Sequence, residues 1–250
     1  MNARLEYLNA LGVDVWVDRN RPTPAAVPPV AASQPVAAQA PQTAPQTAQV
    51  ARPSVAQPDD AAPVATLDFD ALAARVAGCR LCELCESRSQ TVFGVGDRKA
   101  RWMIIGEAPG AEEDRRGEPF VGRAGQLLDA MLLAAGFQRP EVFIANVLKC
   151  RPPNNRDPSA AEAAACLPYL ERQIELVAPD LILAVGRVAA QRLLDTTDPL
   201  SKIRGRVHRL ASNVPVVVTY HPAYLLRSPS QKRKAWEDLV FAHQVARGEV

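Results

Sequence analysis

Between positions 100 and 250 the apolar residues fall in short uninterrupted runs, separated by longer amphipathic stretches. Residues 102–105 (Trp-Met-Ile-Ile) predict a strand buried on both faces, and residues 124–135 a helix stopped by Gly136. A second strand is expected over 142–147. Ser159 and Glu162 spell a capping box that opens a helix ending before Pro179. Residues 181–185 predict a third strand, 188–194 a short helix, 214–219 a fourth strand and 231–245 a closing helix. Strands that are apolar throughout and alternate with helices predict a three-layer α/β/α fold around a central four-stranded parallel sheet. In such sheets ligands sit beyond the carboxyl ends of the strands. Gly106 to Gly110, Asn146, Gly186 and His221 all fall there.

The N-terminal quarter has another pattern. Residues 4–19 place Leu5, Leu8 and Leu11 at helical spacing up to Gly12, followed by a small apolar tail around Trp16. Beyond it, Ala, Pro, Gln, Thr and Val dominate, and ten of the 22 prolines lie between Pro22 and Pro63. Such a stretch cannot sustain a hydrogen-bonded ladder. The chain therefore divides into a short peptide motif (1–19), a Pro/Ala-rich disordered linker (20–66) and one catalytic domain (67–250).

Composition narrows the function classes. No run is long and apolar enough to span a bilayer, and the opening residues lack the charged-then-apolar layout of a secretory leader. Five cysteines without such a leader predict free thiols in a reducing bacterial cytoplasm, not a disulfide scaffold. The formal net charge is +2; residues 1–66 carry four arginines against five carboxylates, which leaves +3 on the remainder. That is mildly basic and compatible with DNA.

The thiols carry a stronger signal. Cys79 and Cys82 form a Cys-x-x-Cys pair, and Cys150 and Cys166 lie sixteen positions apart. Four thiolates can hold one zinc ion or a cubane iron–sulfur cluster. Zinc sites usually join two short knuckles, so the wide second pair, with Cys166 inside a predicted helix, favours the cluster. Cys82 and Cys85 form a second Cys-x-x-Cys, and spacing alone leaves open which two of the three N-terminal thiols take part.

Several segments in order then resemble the family 4 uracil-DNA glycosylases, the iron–sulfur type. They are Val92-Phe93-Gly94, Gly106-Glu107-Ala108-Pro109-Gly110, residues 117–128, residues 146–153 and His221-Pro222-Ala223-Tyr224-Leu225-Leu226-Arg227. The resemblance implies hydrolytic excision of uracil from single- and double-stranded DNA, a [4Fe-4S] cluster on Cys79, Cys82, Cys150 and Cys166 with Cys85 spare, and location in the cytoplasm with the nucleoid. It also implies a site. Phe120 would stack on the flipped base, Asn146 would pair with its edge, and His221 would donate a hydrogen bond to the uracil oxygen that gains charge. Ala108 stands where better-known uracil glycosylases have an aspartate, so Glu107, Glu113 and Asp114 become the carboxylates available to order water or offset charge on the sugar. We expect Glu107 to position water and Glu113 to crowd the uracil C5 and exclude thymine. Leu225, Leu226 and Arg227 would form the wedge that fills the duplex and meets a phosphate. Lys232, Arg233 and Lys234 would add a basic patch.

Residues 115–120 carry no basic, histidine-containing insertion of the kind found in a covalent uracil-trapping branch, which predicts turnover. The competing readings are a non-catalytic uracil- or lesion-binding module and an iron–sulfur electron carrier. Residues 1–19 vaguely resemble the clamp-loader psi-subunit peptide, which predicts a replisome contact for an otherwise monomeric protein.

Overall fold

Residues Trp102–Gly106, Phe143–Asn146 and Leu181–Val185 are buried at every position. The computed structural model describes residues 62–250, so the peptide motif and most of the linker lie outside the described residues. From the N-terminal side the elements are α1 (Phe69–Ala77), α2 (Leu84–Ser87), β1 (Val95–Gly96), β2 (Trp102–Gly106), α3 (Ala111–Arg116), α4 (Arg123–Ala134) and β3 (Phe143–Asn146). They continue with α5 (Ala160–Val177), β4 (Leu181–Val185), α6 (Arg187–Leu193), α7 (Leu200–Ile203), β5 (His208–Arg209), β6 (Pro215–Thr219), α8 (Pro222–Arg227) and α9 (Lys232–Ala246).

The sheet order is β1-β3-β2-β4-β6-β5. The four inner strands pair in parallel, as expected, while β1 and β5 add antiparallel edges. Each edge strand is two residues long, too short to leave an alternation in the sequence.

Side chains of the inner strands alternate between two cores. Trp102, Ile104, Ile144, Leu183 and Val217 meet Leu128, Leu132 and Leu239 of α4 and α9 on one face. Met103, Ile105, Phe143, Ile182 and Val218 meet Leu170, Ile174 and Ala189 of α5 and α6 on the other. Burial on both faces is why these strands read as continuous apolar runs. Each fully buried large aliphatic contributes roughly 1.5–3 kcal/mol relative to exposure.

A third core gathers Leu72, Val76 and Leu84 with Leu148, Cys150, Cys166 and Tyr169. Ala62 and Val64, before the expected boundary at Leu67, also pack against it. The capping box forms: Ser159 N–H donates to Glu162 at 2.8 Å and Glu162 N–H donates to Ser159 Oγ at 3.2 Å. The same carboxylate takes two hydrogen bonds from Arg156, at 2.8 and 2.6 Å, which ties the loop before α5 to its first turn. Among the described residues no helix is long and apolar enough to cross a membrane.

Candidate active site

Two chain segments leave the sheet together at its carboxyl edge. Gly106 and Asn146 are register partners at the ends of β2 and β3. Beyond them Val147 N–H and Leu148 N–H donate to the Gly106 and Glu107 carbonyls at 2.9 and 3.0 Å. Position 106 has no room for a side chain: a Cβ would lie 2.6 Å from Phe120 Cζ and would overlap the Asn146 side-chain oxygen. Phe120 itself has φ +52°, a left-handed conformation rare for a bulky residue. Its turn is clamped by Glu113, whose carboxylate accepts from Gly110 N–H (3.1 Å), Val121 N–H (2.9 Å) and Gly122 N–H (3.1 Å).

His221 follows β6 and reaches the same place. Its ring centroid is 5.6 Å from that of Phe120, with 31° between the planes. Gly186, at φ +99°, permits this approach, since a Cβ there would sit 3.0 Å from the His221 Cβ. Ala223 N–H donates to His221 Nδ1 at 3.1 Å. In the neutral ring the proton therefore sits on Nε2. Burial and the Arg227 charge bring the imidazole down to about 4, so it is neutral at physiological pH.

Glu107, Ala108, Glu113, Phe120, Asn146, His221 and Arg227 line one cleft with about 1100 Å³ of empty space, open solvent included. Asn146 is 2% exposed, and its side-chain carbonyl oxygen has no hydrogen-bond partner. It is the single such buried side-chain atom among the described residues. Leaving an acceptor in that state costs about 1–3 kcal/mol, which a ligand donor would recover. Glu107 is pushed up to about 7, first by burial and then by the Asp157 carboxylate, against a lowering by Arg187.

The family model of the uracil DNA glycosylase superfamily matches residues 93–240. The chain belongs to that superfamily. It is 44% identical over 176 residues to the type-4 uracil-DNA glycosylase of Archaeoglobus fulgidus, covering 68% of this chain and 88% of the relative. The type-4 enzyme of Thermotoga maritima is 44% identical over 168 residues (66% and 88%), and that of Pyrobaculum aerophilum 43% over 180 (69% and 92%). A type-5 enzyme from Pyrobaculum aerophilum is more distant, at 33% over 148 residues, 52% of this chain and 64% of the relative. The likeness is therefore to the type-4 branch of the superfamily.

In this glycosylase the thiols gather beside the loop that carries Asn146. Cys79, Cys82, Cys85, Cys150 and Cys166 all line a cavity with about 300 Å³ of empty space, open solvent included, and all five are free. Among the described residues, no three His, Cys, Asp or Glu side chains are grouped closely enough for a single ion. The sulfurs also accept hydrogen bonds, as cluster thiolates do: Arg88 donates to Cys150 Sγ at 2.9 Å and Lys149 N–H to Cys166 Sγ at 3.2 Å. Burial raises Cys150 and Cys166, the latter to about 11, so thiolates here call for a compensating positive charge.

Lys149 had no assigned role in the sequence, although it stands alone as a charge in the apolar stretch 142–150. It is 1% exposed; its ammonium donates to the Asn146 backbone carbonyl at 2.8 Å and to Gln173 Oε1 at 2.6 Å. Gln173 in turn donates to the Phe93 carbonyl at 2.9 Å. This buried chain fixes the backbone beneath the base-facing amide.

Two expectations change. Asp114 is buried and accepts from Ser89 N–H at 2.9 Å, turned away from the cleft. Leu225, at 1% exposure, is a core residue of α8 packed beneath the loop, so it is not presented to DNA as a wedge. The exposed members of that segment are Tyr224, Leu226 and Arg227. In the basic patch, Arg233 makes a surface ion pair with Glu237 of its own helix at 3.2 Å and its side chain stays 88% exposed.

Proposed function

We propose that this protein removes uracil from DNA by hydrolysing the N-glycosidic bond of a deoxyuridine turned out of the strand, the first step of base excision repair. The observation that carries the reading is the unpartnered carbonyl of Asn146, a residue that lines one cleft with Phe120 and His221. A uracil edge offers an N–H for that oxygen and a carbonyl for the amide N–H₂. Phe120 supplies a face on which the ring rests.

As the bond breaks, negative charge builds on the departing base, and the His221 Nε2–H stabilises it by donating a hydrogen bond. A neutral donor suffices, in keeping with the depressed imidazole. Positive charge on the sugar is met by Glu107, which with its ionisation near neutral pH also orients the attacking water. Glu113 acts as a positioning residue, because its carboxylate is already engaged by three backbone N–H groups. Arg227 meets a phosphate at the cleft mouth.

Cys79, Cys82, Cys150 and Cys166 would hold an iron–sulfur cluster, with Cys85 spare. Bound there, it would act structurally, joining α1, the Cys150 loop and α5. The substrate is single- or double-stranded DNA taken by a monomer.

The test is release of uracil from an oligonucleotide with one deoxyuridine, followed by alkaline cleavage of the abasic site. Strand breaks support the reading, and their absence refutes it. A shifted but uncut oligonucleotide would point to a binding module.

A further inference from the structure

The segment after His221 carries an aromatic stack that the chemistry above leaves unused. Tyr220 and Tyr224 lie 5.2 Å apart between ring centroids, with 20° between their planes. Behind Tyr220 stands Arg204, its guanidinium carbon 4.3 Å from the ring centroid. Arg204 is immobilised by two hydrogen bonds to Asp238, at 2.8 and 2.7 Å, and Thr219 Oγ donates to the same carboxylate at 2.7 Å. The side chains of Arg204 and Asp238 are 13% and 4% exposed. The stack thus runs from a fixed, partly buried cation, through Tyr220, to a ring that is 37% exposed and lines the cleft holding Phe120 and Asn146.

The ladder ends in a ring that is partly exposed. One face of Tyr224 rests on Tyr220, and a large aromatic remains in contact with water beside the base site. Leu225, one of the two leucines expected to wedge there, is turned into the core, while Leu226 stays exposed. A nucleobase bordering the extruded uridine has the chemistry to complete the stack, because every base offers a π-face.

We propose that Tyr224 is a stacking platform for an unflipped nucleobase next to the uridine. This rests on the reading of the cleft as a DNA uracil site. The base belongs either to the same strand or to the partner strand opposite the uridine. In single-stranded DNA the platform replaces part of the lost base stacking and anchors the strand without reading its sequence.

The test uses the full chain as wild type, Tyr224→Ala, Tyr224→Leu and Tyr224→Phe. Substrates are single-stranded oligonucleotides with one deoxyuridine in which each neighbouring base is replaced in turn by an abasic spacer, and duplexes with a spacer opposite. Both Tyr224→Ala and Tyr224→Leu are expected to raise KM about tenfold with kcat little changed, a size in keeping with one base–aromatic stack. Tyr224→Phe keeps the ring and rescues KM. One spacer position should raise the wild-type KM by a similar factor and leave that of Tyr224→Ala unaltered; its strand identifies the base. Equal losses in wild type and Tyr224→Ala at every spacer, or a fall in kcat and thermal stability with KM unmoved, would overturn the proposal. Fluorescence anisotropy reads the same series without turnover. A protein that bound with this spacer pattern but released no uracil would therefore remove the enzymatic reading and keep the platform.

Discussion

Gly125 lies so close beneath Phe120 that a Cβ on it would overlap the Phe120 carbonyl carbon and oxygen. The glycine in the first turn of α4 and the left-handed Phe120 are thus parts of one device that turns the ring into the cleft. Gly125→Ala is expected to displace that backbone at a cost of about 1–3 kcal/mol, as for other overpacked sites. The melting temperature should then fall by roughly 2–4 °C for each kcal/mol. Gly106→Ala places its methyl against Phe120 Cζ and the Asn146 side-chain oxygen, inside the base site itself. Free uracil should inhibit the wild type and no longer inhibit Gly106→Ala. Retained inhibition would show that the base sits elsewhere.

The two titrating groups of the cleft set a pH profile. Glu107 ionises near 7 because burial raises it, so a role for its carboxylate predicts activity that climbs through pH 7. His221 is depressed to about 4 and adds no limb between pH 5 and 8. Glu107→Gln should lower the plateau and abolish the limb. The linkage to stability runs in the opposite direction. A carboxyl raised by burial favours folding fully only below its unfolded value of 4.5, and that contribution is lost as pH rises through 7. Glu107→Gln is therefore expected to melt higher than the wild type at pH 8, with the gap closing at pH 5. Parallel melting curves at both pH values would contradict the assignment.

Glu113 should behave as a clamp. Glu113→Ala leaves three backbone N–H groups without their acceptor, and each buried unsatisfied group costs about 1–3 kcal/mol. Glu113→Gln keeps one oxygen for Val121 and Gly122 and should lose less stability. If the carboxylate acts only through Phe120, both variants will reject thymine as the wild type does. Release of thymine by Glu113→Ala would restore the C5-crowding role instead.

How much of this was legible beforehand follows from the physics of each residue. The parallel core was, because strands buried on both faces cannot alternate; Trp102 to Ile105 and Leu181 to Val185 had few other readings. The cleft was legible through topology, since Asn146 and His221 both fall at the carboxyl ends of parallel strands, β3 and β6, of one sheet. The edge strands were not, because two residues carry no period. The inward turn of Leu225 was hidden because α8 is one short helix whose buried face is fixed by α4, a contact distant in sequence. Lys149 was unreadable for a similar reason: its acceptors, the Asn146 carbonyl and Gln173, are brought together only by α5 packing on β3. The Tyr220–Tyr224 stack likewise needs Arg204 from a separate element behind it.

The thiols supply the last prediction. Cys150 and Cys166 are buried and hydrogen-bonded by Arg88 and by the Lys149 N–H, whereas Cys79, Cys82 and Cys85 are partly exposed along the same cavity. Cys150→Ser and Cys166→Ser are expected to purify without iron and sulfide, with lower melting temperatures, because a bound group that joins α1, the Cys150 loop and α5 adds its binding free energy to folding. Cys85→Ser should retain iron and sulfide in equal amounts, with the visible absorbance of thiolate-to-iron charge transfer. Since Lys149 spans the step from the Cys150 loop to the Asn146 carbonyl, loss of the group should also weaken the hold on the base. That appears as a raised uracil inhibition constant in Cys150→Ser. Stoichiometric zinc with no sulfide in the wild type would establish a single-ion site and discard the cluster.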